Sequence, residues 1–162
     1  MIRIIALFLA LVLVTSCGEG TQPANVLHIH TNANDAGELW ASVNDSEPIR
    51  LLHDAQGYRP LASPDGEWLA VEVRLMSQLE VVRLFRRDGA RFIPADKDVT
   101  AVAWREVAAA YNVELEALGH TKARVSGWNN EGTILRLELS ASVPGEQDQL
   151  ETVVAVPLGH KP

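Results

Sequence analysis

Apolar and polar residues alternate along much of this chain, and Gly, Asp and Asn break the alternation at intervals. The clearest run is SPDGEWLAVEV, residues 63–73. Successive side chains of an extended strand point to opposite faces, so Leu69, Val71 and Val73 share one face and Trp68, Ala70 and Glu72 the other. Ser63-Pro64-Asp65-Gly66 suits a type I turn at every place. Ser fits the first position, Pro presets φ at the second, Asp fits the third, and Gly takes the left-handed position after it. With the short extended stretch GYRPLA before it, the segment predicts a hairpin with one buried face.

The device returns 66 residues later. Asn129-Asn130-Glu131-Gly132 leads into TILRLEL and superposes Asp65-Gly66 on Glu131-Gly132, Leu69 on Leu135, Val71 on Leu137, Glu72 on Glu138 and Val73 on Leu139. Another turn, Arg86-Arg87-Asp88-Gly89, joins LEVVRLF to ARFIPA, and Asn44-Asp45-Ser46 sits between ELWAS and PIRLL. Short strands arranged in hairpins at fairly regular spacing predict a mainly β domain. Chance agreement between two hairpins is the alternative to a true repeat.

One segment keeps a different period. In WREVAAAYNVELEALGH, Trp104, Val107, Ala108, Tyr111, Leu115 and Leu118 recur at helical spacing, and Gly119 is placed to end a helix. The pattern predicts one inserted helix over residues 104–118, with Asn112-Val113 able to split it in two. Two roles are open to it: covering a sheet edge or one end of the core, or docking a partner.

The amino-terminal residues follow a targeting pattern. MIRIIALFLALVLVTSC carries Arg3, an apolar run from Ile4 to Val14 and small residues before Cys17, as a secretory signal peptide does. Eleven apolar residues are too few to span a bilayer core. Val14-Thr15-Ser16-Cys17 resembles the lipobox of bacterial lipoproteins. The resemblance implies cleavage after Ser16, lipid on the Cys17 thiol and new amino group, and membrane attachment through that anchor. Gly18 in the next position implies the periplasmic face of the outer membrane of a Gram-negative bacterium. Lipidation would also account for the single cysteine of the sequence; an ordinary signal peptide with an incidental cysteine is the plainer reading. Residues 17–26, including GEGTQPAN, then form a tether with nothing to bury, and 27–162 a single β domain.

LASPDGEWLAVEV resembles the repeat of TolB-like β-propellers, in which a Ser-Pro-Asp-Gly turn joins the two inner strands of a blade. The resemblance implies that ELWAS and PIRLL form an outer hairpin and YRPLASPDGEWLAVEV the inner hairpin of the next blade. LEVVRLFRRDGARFIPA would be that blade's outer hairpin. VTAVAW with GWNNEGTILRLELS would make a further inner hairpin, and ETVVAVPLG a last outer strand. It covers roughly residues 38–158, and the second copy lacks the Ser-Pro pair. Closed propellers need at least about four blades, whereas this chain supplies two to three, so an incomplete or open propeller is expected. Such propellers are generally protein-interaction modules, which implies a binding or scaffolding role.

Composition narrows the partners. Without residues 1–16 the chain has 13 basic and 21 acidic residues, a formal charge of −8. That argues against nucleic acid and against direct adsorption to anionic lipid; the two resemblances together imply an envelope protein as the partner. No nucleophile motif or phosphate loop is present, and no catalytic residue is assigned. His28 and His30 share a strand face and are the best-placed pair for a metal ion, with His53, His120 and His160 as possible third ligands. Histidines beside a tether are more often solvated imidazoles, so no metal or cofactor is assigned. The loop TNANDAGELW has Ala36 and Val43 where a calcium loop needs oxygen ligands, and reads better as a turn. Trp40, Trp68, Trp104 and Trp128 suit interlayer packing or an aromatic platform. Arg83, Arg86, Arg87 and Arg91 suit a solvated face, or a contact with an acidic partner or with lipid A phosphates. Two alternatives stand beside the interaction module: a structural subunit that self-associates through open blade edges as a homo-oligomer, and a hydrolase with dispersed carboxylates such as Glu72 and Glu138.

Overall fold

The computed structural model describes residues 27–31, 37–44, 46–143, 145 and 149–159, with His30 and Thr31 described by backbone alone. Ser16, Cys17, the tether, residues 32–36, Asp45 and His160 lie outside the described residues. The elements run β1 (Leu27–Thr31), β2 (Leu39–Val43), β3 (Ile49–Leu52), β4 (Gly57–Ala62), β5 (Trp68–Met76), β6 (Leu79–Asp88), β7 (Arg91–Pro94), α1 (Val99–Tyr111), β8 (Gly119–Trp128), β9 (Ile134–Ser142) and β10 (Gln149–Pro157). The fold is mainly β, with one helix and a curled half-barrel sheet. Strands β1-β2-β3 form a small sheet, and the large one runs β10-β9-β8-β6-β5-β4 with β7 also on β6.

Both glycine corners form, and they are built alike. Gly66 N–H donates to Ser63 O (2.9 Å) and Gly132 N–H to Asn129 O (3.1 Å), and both glycines sit at φ +71°. The Ser63 hydroxyl accepts from Trp68 N–H (2.9 Å), and the Asn129 carboxamide oxygen accepts from Ile134 N–H (2.8 Å). A short polar side chain at the first turn position thus does one job in both copies, which is why Asn replaces Ser without loss of the turn. The middle strands that follow, Trp68–Met76 and Ile134–Ser142, are offset by 66 residues at both ends. The two corners also meet in space. A Cβ on Gly132 would lie 2.6 Å from the Asp65 carboxylate.

Alternation sorts the side chains into two cores. Leu69, Val71 and Val73 on β5 pack with Phe85 and Phe92 against Leu39 and Val43 of the small sheet. Ala70, Val82 and Leu84 face the other way, into a core with Leu135, Leu137 and Leu139 of β9, Val154 and Val156 of β10, and α1. Strand β5 is therefore buried on both faces, while β9 buries only one. Each fully buried Leu or Val contributes about 1.5–3 kcal/mol, whereas exposed ion pairs such as Arg50–Glu38 contribute about 0–1 kcal/mol. Apolar burial holds these layers together.

The helix differs from its expected span. It covers Val99–Tyr111 rather than 104–118, and VTAVAW, expected as a strand, is its first half. Asp98 caps it by accepting from Ala101 N–H (3.0 Å). Val99, Ala103 and Val107 are buried at spacings of four, alongside Trp104. That spacing and the cap outweigh the β-branched start. Asn112, left-handed at φ 52°, ends the helix, and Leu115–Ala117 forms only a 3-10 turn. The strand paired with β9 is instead β8, which begins at Gly119. Of the two roles open to the helix, α1 takes up core covering: its buried face joins the main core.

The helix also completes a strand edge. One edge of β6 pairs with β5 along its length. The other meets β8 at Glu80, in a parallel bridge to Lys122, and β7 from Phe85 to Asp88. Between them, Val82 N–H donates to the Thr100 hydroxyl (2.8 Å), which in turn donates to Val82 O (3.0 Å). Ala95 N–H closes Leu84 O (2.9 Å).

Two stability outcomes follow. Thr100→Val keeps the shape but leaves two buried backbone groups unpaired, at about 1–3 kcal/mol each. Urea unfolding is expected to show a loss of about 2–4 kcal/mol, with Thr100→Ser close to wild type. Gly66→Ala is expected to cost about 1–2 kcal/mol for its positive φ. Gly132→Ala costs more, because it adds a clash with Asp65, and Asp65→Ala recovers part of that excess in a double-mutant cycle.

Candidate functional site

The second meander, β8–β10, is fixed to the first by two carboxylates. Beyond Lys122 the strand β8 leaves β6, so Val125 N–H has no strand partner on that side. Glu72, on the β5 face that carries Ala70, reaches across and accepts this N–H at 2.6 Å. Its side chain is 11% exposed, and Arg59 Nη1 donates to the same oxygen at 3.3 Å and to the second at 3.4 Å. Glu80 at the start of β6 receives Arg124 through Nε (2.6 Å) and Nη2 (3.1 Å), a two-pronged ion pair. The hydrogen bond from Arg124 holds the Glu80 carboxyl below the usual glutamate range, opposed by burial and assisted by the charges of Arg124, Lys122 and Arg74. Arg124 is raised in return, chiefly by Glu80, and it also feels Glu72 and Glu138.

Two depressions flank this seam, and Arg124 lines both. One, of about 290 Å³, is bounded by Arg59, Glu72, Arg74, Glu80 and Arg124. The larger, of about 500 Å³, lies over the outward face of the second meander, along Lys122, Glu138, Ser140, Gln149, Glu151 and Val153. Glu138 lies opposite Arg124 in the β8–β9 register. The structure thus draws Glu72 and Glu138 toward a shared arginine in different states: Glu72 is committed to a backbone N–H, while Glu138 is exposed. Equal offsets in the sequence pair these two acids. What the sequence hid was Glu80 and Arg124, because their contact depends on the parallel β6–β8 bridge between distant strands.

Other residues singled out from the sequence do not converge. His28 is exposed on β1, and the His30 side chain is outside the described residues. Among the described residues no three His, Cys, Asp or Glu side chains are grouped to hold a metal ion. Trp104 is buried in the main core, Trp68 and Trp128 pack against it, and Trp40 Nε1 donates to Glu38 (3.1 Å). The basic hairpin does not make one patch. Alternation puts Arg86 on the face opposite Arg83 and Arg87, Arg83 lies 3.9 Å from Asp98, and Arg87 folds back onto Gly89 O (2.9 Å).

No protein-family model, curated protein or solved structure matches the chain. The likeness to TolB-like propellers therefore draws no support from a matched relative.

Glu80 gives the seam a pH signature. Its native pKa is lowered, so its contribution is fully present above roughly pH 4.5 and is lost as pH falls through that value toward the native one. Glu80→Gln is expected to lower the urea midpoint at pH 7 and to flatten its further fall between about pH 5 and pH 2 relative to wild type.

Proposed function

We propose that this chain is a lipid-anchored envelope protein whose β domain serves as a protein-interaction or scaffolding module. Cys17 carries the lipid after cleavage at Ser16, residues 17–26 give reach, and the domain stands at the periplasmic face of the outer membrane. Its three groups of strands, β1–β3, β4–β7 and β8–β10, are read as blades of an incomplete, open propeller of TolB-like type. Face-to-face stacking of successive groups supports this reading, as do the two matching corners. Among the described residues no helix is long and apolar enough to cross a membrane, and a lipid anchor needs none.

One observation carries the interaction role: the second meander leaves uncovered the face that the first uses to hold its neighbour. Val82 on β6 is 1% exposed, while Val153 on β10 is 56% exposed. By strand pairing the two hold the same place, since Val82 lies opposite Glu72 and Val153 opposite Glu138. A surface of that kind is a place for another protein.

In cells fed labelled palmitate, the wild-type chain is expected to incorporate label and Cys17→Ala to incorporate none. Chemical cross-linking of detergent-solubilised envelope is expected to give a discrete heteromeric species with the wild type and much less with Cys17→Ala. An unlabelled wild-type chain overturns the anchor; a wild type that yields no heteromeric species overturns the module.

A further inference from the structure

The two meanders correspond strand by strand. Through the pairing registers, Arg59–Glu72–Val82 across β4, β5 and β6 matches Arg124–Glu138–Val153 across β8, β9 and β10. The next row, Gly57–Arg74–Glu80, matches Lys122–Ser140–Glu151. Both carboxylates that hold the second meander to the first therefore have counterparts one repeat on: Glu138 stands for Glu72, and Glu151 for Glu80. Both counterparts are exposed and line the 500 Å³ groove. Among the described residues neither side chain makes a hydrogen bond or an ion pair within 4 Å, Glu138 having only the charge of Arg124 opposite it; no strand pairs with the second edge of β10, a strand that α1 packs against.

We propose that this edge of β10 receives an extended strand of a partner protein, running parallel to β10 as β8 runs along β6. A basic side chain of that strand meets Glu151, and the backbone N–H of the following residue meets Glu138. The internal seam supplies the template: Arg124 on Glu80 and Val125 N–H on Glu72. Charge complementarity asks for a cation, and the exposed Val153 asks for an apolar neighbour beside it. Strand addition of this kind takes affinity from main-chain bonds and specificity from the flanking side chains.

The partner differs from this chain. A second copy would have to offer β4, the counterpart of β8. There Pro60 occupies the place of Val125, since Pro60 lies opposite Val71 and Val125 opposite Leu137. Proline has no N–H to give to Glu138. The repeat is thus closed to head-to-tail addition of itself at the one edge position where a donor is needed.

This inference rests on the interaction role of the same face, and the β8 sequence is its probe. A fluorescent peptide GHTKARVSGW is titrated against the full-length chain in detergent micelles and followed by anisotropy. Saturable binding is expected, weakened at least about tenfold by Glu151→Arg and by Glu138→Gln. A peptide with Glu at the Arg124 place is expected to bind wild type poorly and to regain affinity on the Glu151→Arg chain. No binding, or binding unmoved by both substitutions, overturns the socket; if envelope cross-linking still gives a heteromeric species, the interaction role stands without it. Sedimentation showing a self-association that Glu151→Arg abolishes overturns it in favour of a second copy.

Discussion

Strand β6 has two edges to satisfy, and its second edge meets a different kind of partner at almost every step. Glu80 bridges to β8, Val82 takes both bonds from one threonine hydroxyl, Leu84 O takes a loop amide, and the strand's last four residues pair with β7. Buried backbone groups cannot be left unpaired cheaply, so each partner is obligatory, and together they fix the layout of the domain. They place the helix N-terminus, start the second meander, and force β8 to diverge so that Glu72 is needed to receive Val125 N–H. A sheet that continued regularly from β6 into β8 would have needed neither Thr100 nor Glu72, and it would not have curled around the helix.

The curl decides which faces are spent. The first meander is covered on one side by the small sheet and on the other by the second meander with α1, so β5 carries apolar residues at nearly every position from Leu69 to Val73. The second meander is covered once, and β9 alternates strictly: Leu135, Leu137 and Leu139 inside, Arg136 and Glu138 outside. Two copies of one supersecondary unit thus read differently because they have different neighbours.

Local features were legible in the sequence. The Ser63–Gly66 turn, the strand after it and the 66-residue echo depend on residues a few places apart, and the structure forms them all. Substitution of Asn129 for Ser63 weakened the echo to the eye but not to the chemistry, because either side chain offers an oxygen to the same amide. The start of the helix was misread because Val99, Thr100 and Val102 favour strands, while its cap is Asp98, just before them. Thr100 shows why such a reading fails: its hydroxyl serves a strand 18 residues away, a use that no local pattern announces. The seam was hidden for the same reason, since Glu80 and Arg124 are 44 residues apart and meet only through a crossover.

Free edges of the described strands are not treated alike, and the differences have physical sense. Strand β4 carries Pro60 in its middle, β7 and β3 are four residues each, and β8 is broken in register near Gly119 and again near Gly127. These are devices that discourage pairing with stray chains. Strand β10 has none of these three: its register with β9 is unbroken, its one proline stands at the last position, and Val153 stands open, although α1 packs against the strand and Lys97 Nζ donates to Pro157 O at its end. An edge without a strand partner beside an exposed valine is a liability in a protein that elsewhere guards its edges. The acidic residues on its two sides, Glu138 and Glu151, restrict what can add there, because an approaching strand without a cation leaves both carboxylates desolvated and unpaired. Selectivity at such an edge comes from what it refuses as much as from what it holds.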